Sequence, residues 1–143
     1  MTESRKQKAE SRKPVLDHIG IAVRSIEAAK IYEALGLTID HVEVVETQGV
    51  KTAFLSVGDS NLELLEPTGP DSTIAKFIEK RGEGIHHICL RVDDIDAHLA
   101  HLKEQGFRLI NENPVPGAHG CRVAFLHPAA GNGVLIELSQ SND

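Results

Sequence analysis

Apolar and polar positions alternate along this chain in a pattern that occurs twice. A short apolar run begins near a histidine at residues 16–23 (LDHIGIAV), and a second copy lies 69 positions later at residues 85–92 (IHHICLRV). Each run is followed by a small polar residue suited to cap a helix, Ser25 or Asp94, and then by a helical stretch that ends before a glycine. The pattern predicts two related modules, each beginning with a strand and a helix.

The first half continues with three further predicted strands. Residues 25–35 are expected to form a helix that places Ile26, Ala29, Tyr32 and Leu35 along one side and stops at Gly36. Apolar alternation then predicts strands at residues 37–46, 50–57 and 61–66, with turns at 47–49 and 58–60. The first half therefore reads as strand, helix, strand, strand, strand.

A linker at residues 68–84 separates the two halves. Asp71 or Ser72 can cap a linker helix that ends at Gly82. The second half then predicts a helix at residues 94–105 and strands at 107–110, 120–126 and 134–138. The expected fold is a single α+β domain at 15–143, made of two tandem βαβββ modules at about 15–67 and 85–140, which form a curved mixed sheet.

Length and composition limit the class of protein. The chain has 143 residues, of which 41% are hydrophobic and 25% charged, and it contains no apolar run long enough to span a membrane. Residues 1–14 carry five basic and two acidic residues with almost nothing apolar, which predicts a disordered tail rather than a targeting segment. The remainder has a formal charge of −9, which argues against nucleic acid as a partner. Cys89 and Cys121 lie in strand-like runs and are expected to be buried thiols of a cytoplasmic protein.

The duplication repeats two residue types that can bind metal. His18 and His87 stand at equivalent strand starts, and Glu63 and Glu137 stand at equivalent places inside two other strands. One such histidine or glutamate alone is more simply explained as a core or solvated side chain. Two of each, at matching positions, predict a shell of two nitrogens and two oxygens around one divalent ion per chain, such as cobalt, zinc, manganese or nickel.

At these residues the sequence resembles the vicinal oxygen chelate superfamily, whose members pair two βαβββ modules around a metal. Within that superfamily it is most similar to the methylmalonyl-CoA epimerase family. The similarity covers residues 16–140 and is carried by the two histidine strands and by residues 72–78 (STIAKFI), 84–88 (GIHHI), 125–128 (FLHP) and 133–138 (GVLIEL). The resemblance implies that His18, Glu63, His87 and Glu137 bind the metal.

The resemblance also implies a reaction, the interconversion of the 2R and 2S forms of methylmalonyl-CoA through a metal-stabilised enolate. Inversion at carbon 2 is most simply served by two acid/base groups on opposite faces. Glu137 fits one of them. Some epimerases have a second catalytic glutamate where this chain has Thr52, so the second proton carrier is expected to be Glu46, His119 or a metal-held water.

Substrate contacts and assembly are expected from the same resemblance. Lys76, Lys80 and Arg81 cluster on the linker helix and could bind the phosphates of an acyl-CoA, although a solvated helix face explains them equally well. Thr52 is expected to lie at the substrate pocket. Relatives of this kind are commonly dimers, so a homodimer is predicted, with each active site inside one chain.

Two alternative functions use the same fold. A glyoxalase I-type isomerase would use the same ligands on a glutathione hemithioacetal, and a non-catalytic binding protein that sequesters a small molecule would need no metal. The presence of all four candidate ligands argues against the binding protein. The second acidic ligand argues against an extradiol dioxygenase, which normally uses two histidines and one glutamate.

Overall fold

A computed structural model describes residues 13–142 of the chain. The predicted tail lies outside the described residues except for Lys13 and Pro14, which precede the first strand. In chain order, the first half contains β1 (Val15–Ala22), a 3₁₀ turn (Ile26–Ala29), α1 (Lys30–Ala34), β2 (Ile39–Val45), β3 (Val50–Val57) and β4 (Ser60–Pro67). The linker helix α2 (Thr73–Arg81) is followed by β5 (Gly84–Arg91), α3 (Ile95–Glu104), β6 (Val115–Pro116), β7 (Arg122–Leu126) and β8 (Leu135–Gln140).

The chain divides into two compact units, and the boundary falls within β1 and β5 rather than in the linker. One unit is His18–His87. It contains strands in the order β2-β3-β4-β1, with β1 parallel to β4 and the other pairs antiparallel. The other unit consists of the chain from Ile88 onward together with the described residues before His18, and its strand order is β5-β8-β7-β6.

Each unit has its own apolar core on one side of its strands. In the unit His18–His87, Leu55 and Leu64 are fully buried beside Ala53 and Ala29, while the linker helix packs Ile74 and Ile78 against a neighbouring cluster. In the other unit, Ile95 and Leu99 of α3 pack on the buried side chains of β7 and β8. Burial of these aliphatic side chains drives both units to fold and holds the strands that carry the candidate ligands.

The internal repeat is visible in individual hydrogen bonds. The N–H of Val23 donates to the Leu65 carbonyl at 3.0 Å, and in the other unit the N–H of Val92 donates to the Ser139 carbonyl at 2.8 Å. In each half, a side chain at the end of the last strand also accepts a hydrogen bond from the first helical residue. The N–H of Ile26 donates to Glu66, and the N–H of Ile95 donates to Gln140, both at 2.8 Å. These matched contacts confirm the α+β fold of two tandem βαβββ modules.

Two predicted elements differ from the structure. Residues 107–110 do not form a strand, because Asn111 Oδ1 accepts the N–H of Phe125 at 2.8 Å and so replaces a ladder bond; only an isolated bridge pairs Leu109 with Leu126. The short edge strand is β6 instead. The helix predicted at 25–35 begins as a 3₁₀ turn capped by Ser25, and Leu35 at its end is 73% exposed rather than buried.

The linker helix agrees with its prediction. Ser72 caps the linker helix by accepting the N–H of Ala75 at 3.0 Å, and the helix ends at Gly82. Cys89 is a buried thiol, as expected, whereas Cys121 is half-buried. Within residues 13–142, no helix has the length and apolar character needed to cross a membrane.

Candidate metal centre and surrounding residues

Two buried histidines form the centre of the site in the unit His18–His87. His18 lies in β1 opposite Asn61 of the parallel strand β4, and His87 lies near the start of β5. Both histidines are 8% exposed. Ile19 follows His18 and Ile88 follows His87, so the strand period turns each histidine to the face opposite that isoleucine.

The side chains form a connected chain of polar contacts. His18 Nε2 lies 3.0 Å from His87 Nε2, and the two rings meet edge to face with centroids 5.1 Å apart. On its other side, His18 Nδ1 lies 3.1 Å from Glu63 Oε2. His87 Nδ1 lies 2.9 Å from His86 Nδ1. The two Nε2 atoms therefore face each other, while each Nδ1 atom has a neighbouring polar partner.

Burial keeps the central imidazole uncharged. Burial, together with the neighbouring imidazoles of His18 and His86, lowers the pKa of His87 to about 3. Desolvation is the larger cause of the lowered pKa, since burial disfavours the charged ring. The two neighbouring histidines add like-charge repulsion. At neutral pH His87 is therefore a neutral imidazole, the form in which histidine binds metals.

The arrangement depends on a glycine that the sequence reasoning did not identify. Gly20 lies two residues after His18, opposite Glu63 in the β1–β4 register. A Cβ at Gly20 would lie 2.2 Å from His87 Cε1 and 2.6 Å from His87 Nδ1, far inside van der Waals contact. The ring of His87 can occupy its position only because residue 20 has no side chain. The repeat gave no signal here, since the equivalent residue in the second half is Cys89.

The two glutamates have matching surroundings. Glu63 lies directly across from Phe54 in the β3–β4 pair, and Glu137 lies directly across from Phe125 in the β7–β8 pair. Both glutamates are half-buried. Directly opposed residues in an antiparallel pair share a face, so each carboxylate lies beside a phenyl ring. The structure places Glu63 in contact with His18, whereas Glu137 belongs to the other compact unit.

The face of β3 that carries Phe54 extends to Thr52 and to neighbours on β2. Thr52 is 5% exposed and lies opposite Glu43, a half-buried carboxylate that the sequence reasoning missed. The ring of His41 stacks on Phe54 with centroids 4.3 Å apart. Period-two alternation along β2 could have predicted that His41 and Glu43 share this face.

The candidate proton carriers outside the strands lie in turns. Glu46 is exposed and begins a 3₁₀ turn that ends at Gly49, where φ is 64°. The Gly49 carbonyl accepts the N–H of Thr68 at 2.9 Å, which ties this turn to the start of the linker. His119 occupies the equivalent turn of the second half, is exposed, and has a left-handed backbone with φ of 56°.

The cationic residues of the linker helix are on the surface. Lys76, Lys80 and Arg81 are all exposed, and the Arg81 guanidinium lies 5.8 Å from the centroid of the Phe77 ring. Phe77 in turn contacts His86 edge to face, with centroids 5.0 Å apart. The helix is therefore connected to the histidine cluster through Phe77.

The donor set of this unit fits a divalent first-row ion. Two imidazole nitrogens that each bind one ion at about 2.1 Å stand about 3.0–3.4 Å apart, for angles at the ion between a right angle and the tetrahedral angle. The Nε2 atoms of His18 and His87 are 3.0 Å apart, and both rings are buried. The close approach of two ring nitrogens in a buried site requires either a shared proton or a cation between them.

Comparison with known proteins identifies the family. The family model described as the glyoxalase/bleomycin resistance protein/dioxygenase superfamily matches residues 17–125. The ethylmalonyl-CoA/methylmalonyl-CoA epimerase of Cereibacter sphaeroides is 43% identical over 129 residues, which cover 87% of this chain and 96% of the relative. The chain belongs to the methylmalonyl-CoA epimerase family of this superfamily.

Further similar proteins agree with this assignment. An uncharacterised protein of Bacillus subtilis, YqjC, is 46% identical over 127 residues, which cover 87% of this chain and 91% of that protein. A solved structure of a methylmalonyl-CoA epimerase in complex with methylmalonyl-CoA and NH₄⁺ is 41% identical, with a TM-score of 0.79, and the match covers 92% of this chain and 96% of that chain. The resemblance to the methylmalonyl-CoA epimerase family is thereby confirmed.

Proposed function

We propose that this protein is a metal-dependent methylmalonyl-CoA epimerase, which removes a proton from carbon 2 of the substrate and returns one to the opposite face. The observation that carries the proposal is the buried His18–His87 pair at 3.0 Å, with Glu63 at the outer nitrogen of His18. This donor pair occurs in a chain about 40% identical to epimerases over most of its length. Those relatives favour the epimerase over a glyoxalase I-type isomerase.

The proposed metal shell consists of His18, Glu63, His87 and Glu137. When bound there, the divalent ion supplies Lewis-acid stabilisation of the negative charge that develops on the substrate's carbonyl oxygens. His18 and His87 hold their Nε2 atoms toward a common point, and burial of both rings excludes competing water. In the structure the Glu63 carboxylate lies 3.1 Å from His18 Nδ1, where it orients the ring, and as a ligand it would turn from Nδ1 toward the ion.

The proton transfers need two groups. Glu137 is the proposed first base, and its half-buried place opposite Phe125 gives its carboxylate an apolar neighbour. Glu46 is the proposed second carrier. Its support is the 3₁₀ turn that the Gly49–Thr68 hydrogen bond ties to the linker, since a proton carrier must be held at a fixed place. His119 stays the alternative second carrier, and Thr52 is proposed as a wall of the substrate pocket.

We also propose the substrate class, the assembly and the metal content of the protein. The substrate is an acyl-CoA, with Lys76, Lys80 and Arg81 as candidate phosphate contacts on the linker helix. The protein is proposed to act as a cytoplasmic homodimer with one ion, cobalt, zinc, manganese or nickel, per chain.

A metal-dependence assay tests the proposed function. Protein stripped with a chelator should not interconvert the two epimers of methylmalonyl-CoA, and stoichiometric Co²⁺ should restore the activity. His87→Ala should stay folded but bind no cobalt and show no turnover. Stoichiometric cobalt in His87→Ala would contradict the proposed shell, and conversion of a glutathione hemithioacetal but not of methylmalonyl-CoA would favour the isomerase instead.

A further inference from the structure

His86 has a defined contact with the proposed metal centre that the proposed function does not use. Its Nδ1 lies 2.9 Å from Nδ1 of His87, and the two rings are perpendicular with centroids 5.1 Å apart. The ring of His86 is itself packed edge to face on Phe77 of the linker helix, at 5.0 Å and 78°. His86 is thus a half-buried imidazole placed at the one ring nitrogen of His87 that faces away from His18.

The position is specific to the second half of the repeat. The residue equivalent to His86 in the first half is Asp17, and the carboxylate of Asp17 lies 3.2 Å from the guanidinium of Arg91. The first histidine, His18, instead has Glu63 at its Nδ1. Each of the two ligand histidines therefore has its own partner at Nδ1, a carboxylate for His18 and an imidazole for His87.

A neutral imidazole carries one N–H and one acceptor nitrogen, so the contacts along this chain depend on one another. Without an ion, a consistent arrangement has His86 Nδ1–H donating to His87 Nδ1, His87 Nε2–H donating to His18 Nε2, and His18 Nδ1–H donating to Glu63. With an ion at the Nε2 atoms, His87 must carry its proton on Nδ1 instead. That N–H then needs an acceptor, because a buried donor without a partner costs free energy.

We propose that His86 is a positioning residue that accepts the Nδ1–H of His87 when an ion is bound at Nε2. An imidazole can serve as donor in one state and as acceptor in the other, by moving its own proton between Nδ1 and Nε2. No proton is gained or lost overall, because His87 and His86 exchange tautomers together. A backbone carbonyl or a carboxylate could only accept, so His86 supports both the ion-free and the ion-bound arrangement of the same buried ring. This inference rests on the proposed metal shell.

The test compares His86→Phe with His86→Gln in the full-length chain. Phenylalanine fills the space against Phe77 but neither donates nor accepts, whereas the glutamine amide can do both. Loss of a hydrogen-bond partner of a metal-binding histidine typically weakens metal affinity by about 10–100-fold. We expect His86→Phe to weaken Co²⁺ binding by that factor, measured by competition with a chromophoric chelator, and His86→Gln to recover most of it.

Two further readouts separate positioning from a general structural effect. The visible absorption bands of bound Co²⁺ should shift in His86→Phe, because the orientation of the His87 ring changes, and kcat should fall at saturating cobalt with little change in KM. His98→Phe is the matched control, since His98 is a half-buried histidine of α3 whose Nδ1–H donates to the carbonyl of Asp94 at 3.0 Å. It should leave cobalt affinity and spectrum unchanged.

The outcomes distinguish this inference from the proposed function. Cobalt retained by His87→Ala would overturn the metal shell and this inference with it. Cobalt lost by His87→Ala but bound by His86→Phe as tightly as by the parent protein would overturn the role of His86 alone. If His86→Phe does not fold, His86→Leu and His86→Gln provide the same comparison, and equal cobalt affinity in that pair would again contradict the proposal.

Discussion

Replacing Gly20 by alanine perturbs the centre of the site with a single methyl group. The added Cβ would lie 2.2 Å from His87 Cε1, 2.6 Å from Nδ1 and 2.9 Å from Nε2. Ordinary carbon–carbon contact is about 3.5 Å, so the ring must move by more than about 1 Å. His87 has partners at both ring nitrogens, His18 at 3.0 Å and His86 at 2.9 Å, and a displacement of this size breaks at least one of the contacts.

The size of the effect follows from the packing. Overfilling a well-packed interior typically costs about 1–3 kcal/mol. For a chain of this length that corresponds to a melting temperature lower by about 3–10 °C. Misplacing a catalytic group by about 1 Å can cost about 100-fold in rate, so kcat/KM for methylmalonyl-CoA is expected to fall by that factor, with weaker cobalt binding.

The assay pairs Gly20→Ala with a matched control. Gly69→Ala adds the same methyl group at a position where a Cβ would meet no heavy atom within 4 Å. That variant should keep its melting temperature, cobalt affinity and activity. If Gly20→Ala behaves like Gly69→Ala in all three measurements, the close approach of β1 to the His87 ring is not needed for the site and the reasoning is refuted.

Four further predictions follow from the site and the surface. Glu137→Gln keeps an oxygen ligand but loses the base, so cobalt content should survive while epimerisation falls by about 10²–10⁴-fold; near-full activity would restrict Glu137 to a ligand role. His87 has a pKa of about 3 when folded and the ordinary value of 6.5 when unfolded, so the unfolded chain binds more protons between these values and stability falls as pH falls below about 6.5. In metal-free protein the loss of unfolding free energy at pH 5.5 is about 1 kcal/mol, and denaturant unfolding of His87→Gln should show no such loss. Charge reversal at Lys76 and Lys80 should raise KM for the acyl-CoA at low salt and not at high salt; an unchanged KM would exclude these lysines from substrate binding. Sedimentation at micromolar concentration should show a dimer, and a stable monomer would contradict the predicted assembly.

Much of the fold follows from hydrophobic periodicity. The strand at Val50–Val57 and the linker helix with its Ser72 cap and Gly82 end were predictable because their apolar positions and capping residues agree. The structure of residues 107–110 was not predictable in this way. Their apolar composition favours a strand, but the side chain of Asn111 accepts the N–H of Phe125. The sequence places Leu35 on one side of a helix with Ala29 and Tyr32, but α1 ends at Ala34 and Leu35 is 73% exposed.

The sequence predicts the site residues that recur in both halves of the chain and does not predict those that occur in one half alone. His18 and Glu63 were found because each recurs at an equivalent position, and the structure places them in contact. Gly20 and His86 have no such counterparts, since the repeat has Cys89 and Asp17 in their places. The role of Gly20 depends on the distance between two strands, and the role of His86 depends on the direction of one ring nitrogen. Hydrophobic periodicity determines neither.

The most direct test of the central claim is proton exchange at carbon 2 of methylmalonyl-CoA in heavy water. Starting from one pure epimer, cobalt-loaded protein should incorporate deuterium at carbon 2 while the other epimer forms, and proton NMR should show loss of the carbon-2 signal and collapse of the methyl splitting. His87→Ala treated in the same way should show neither change. Retention of the carbon-2 proton in the parent protein, with cobalt bound, would contradict the assignment as an epimerase.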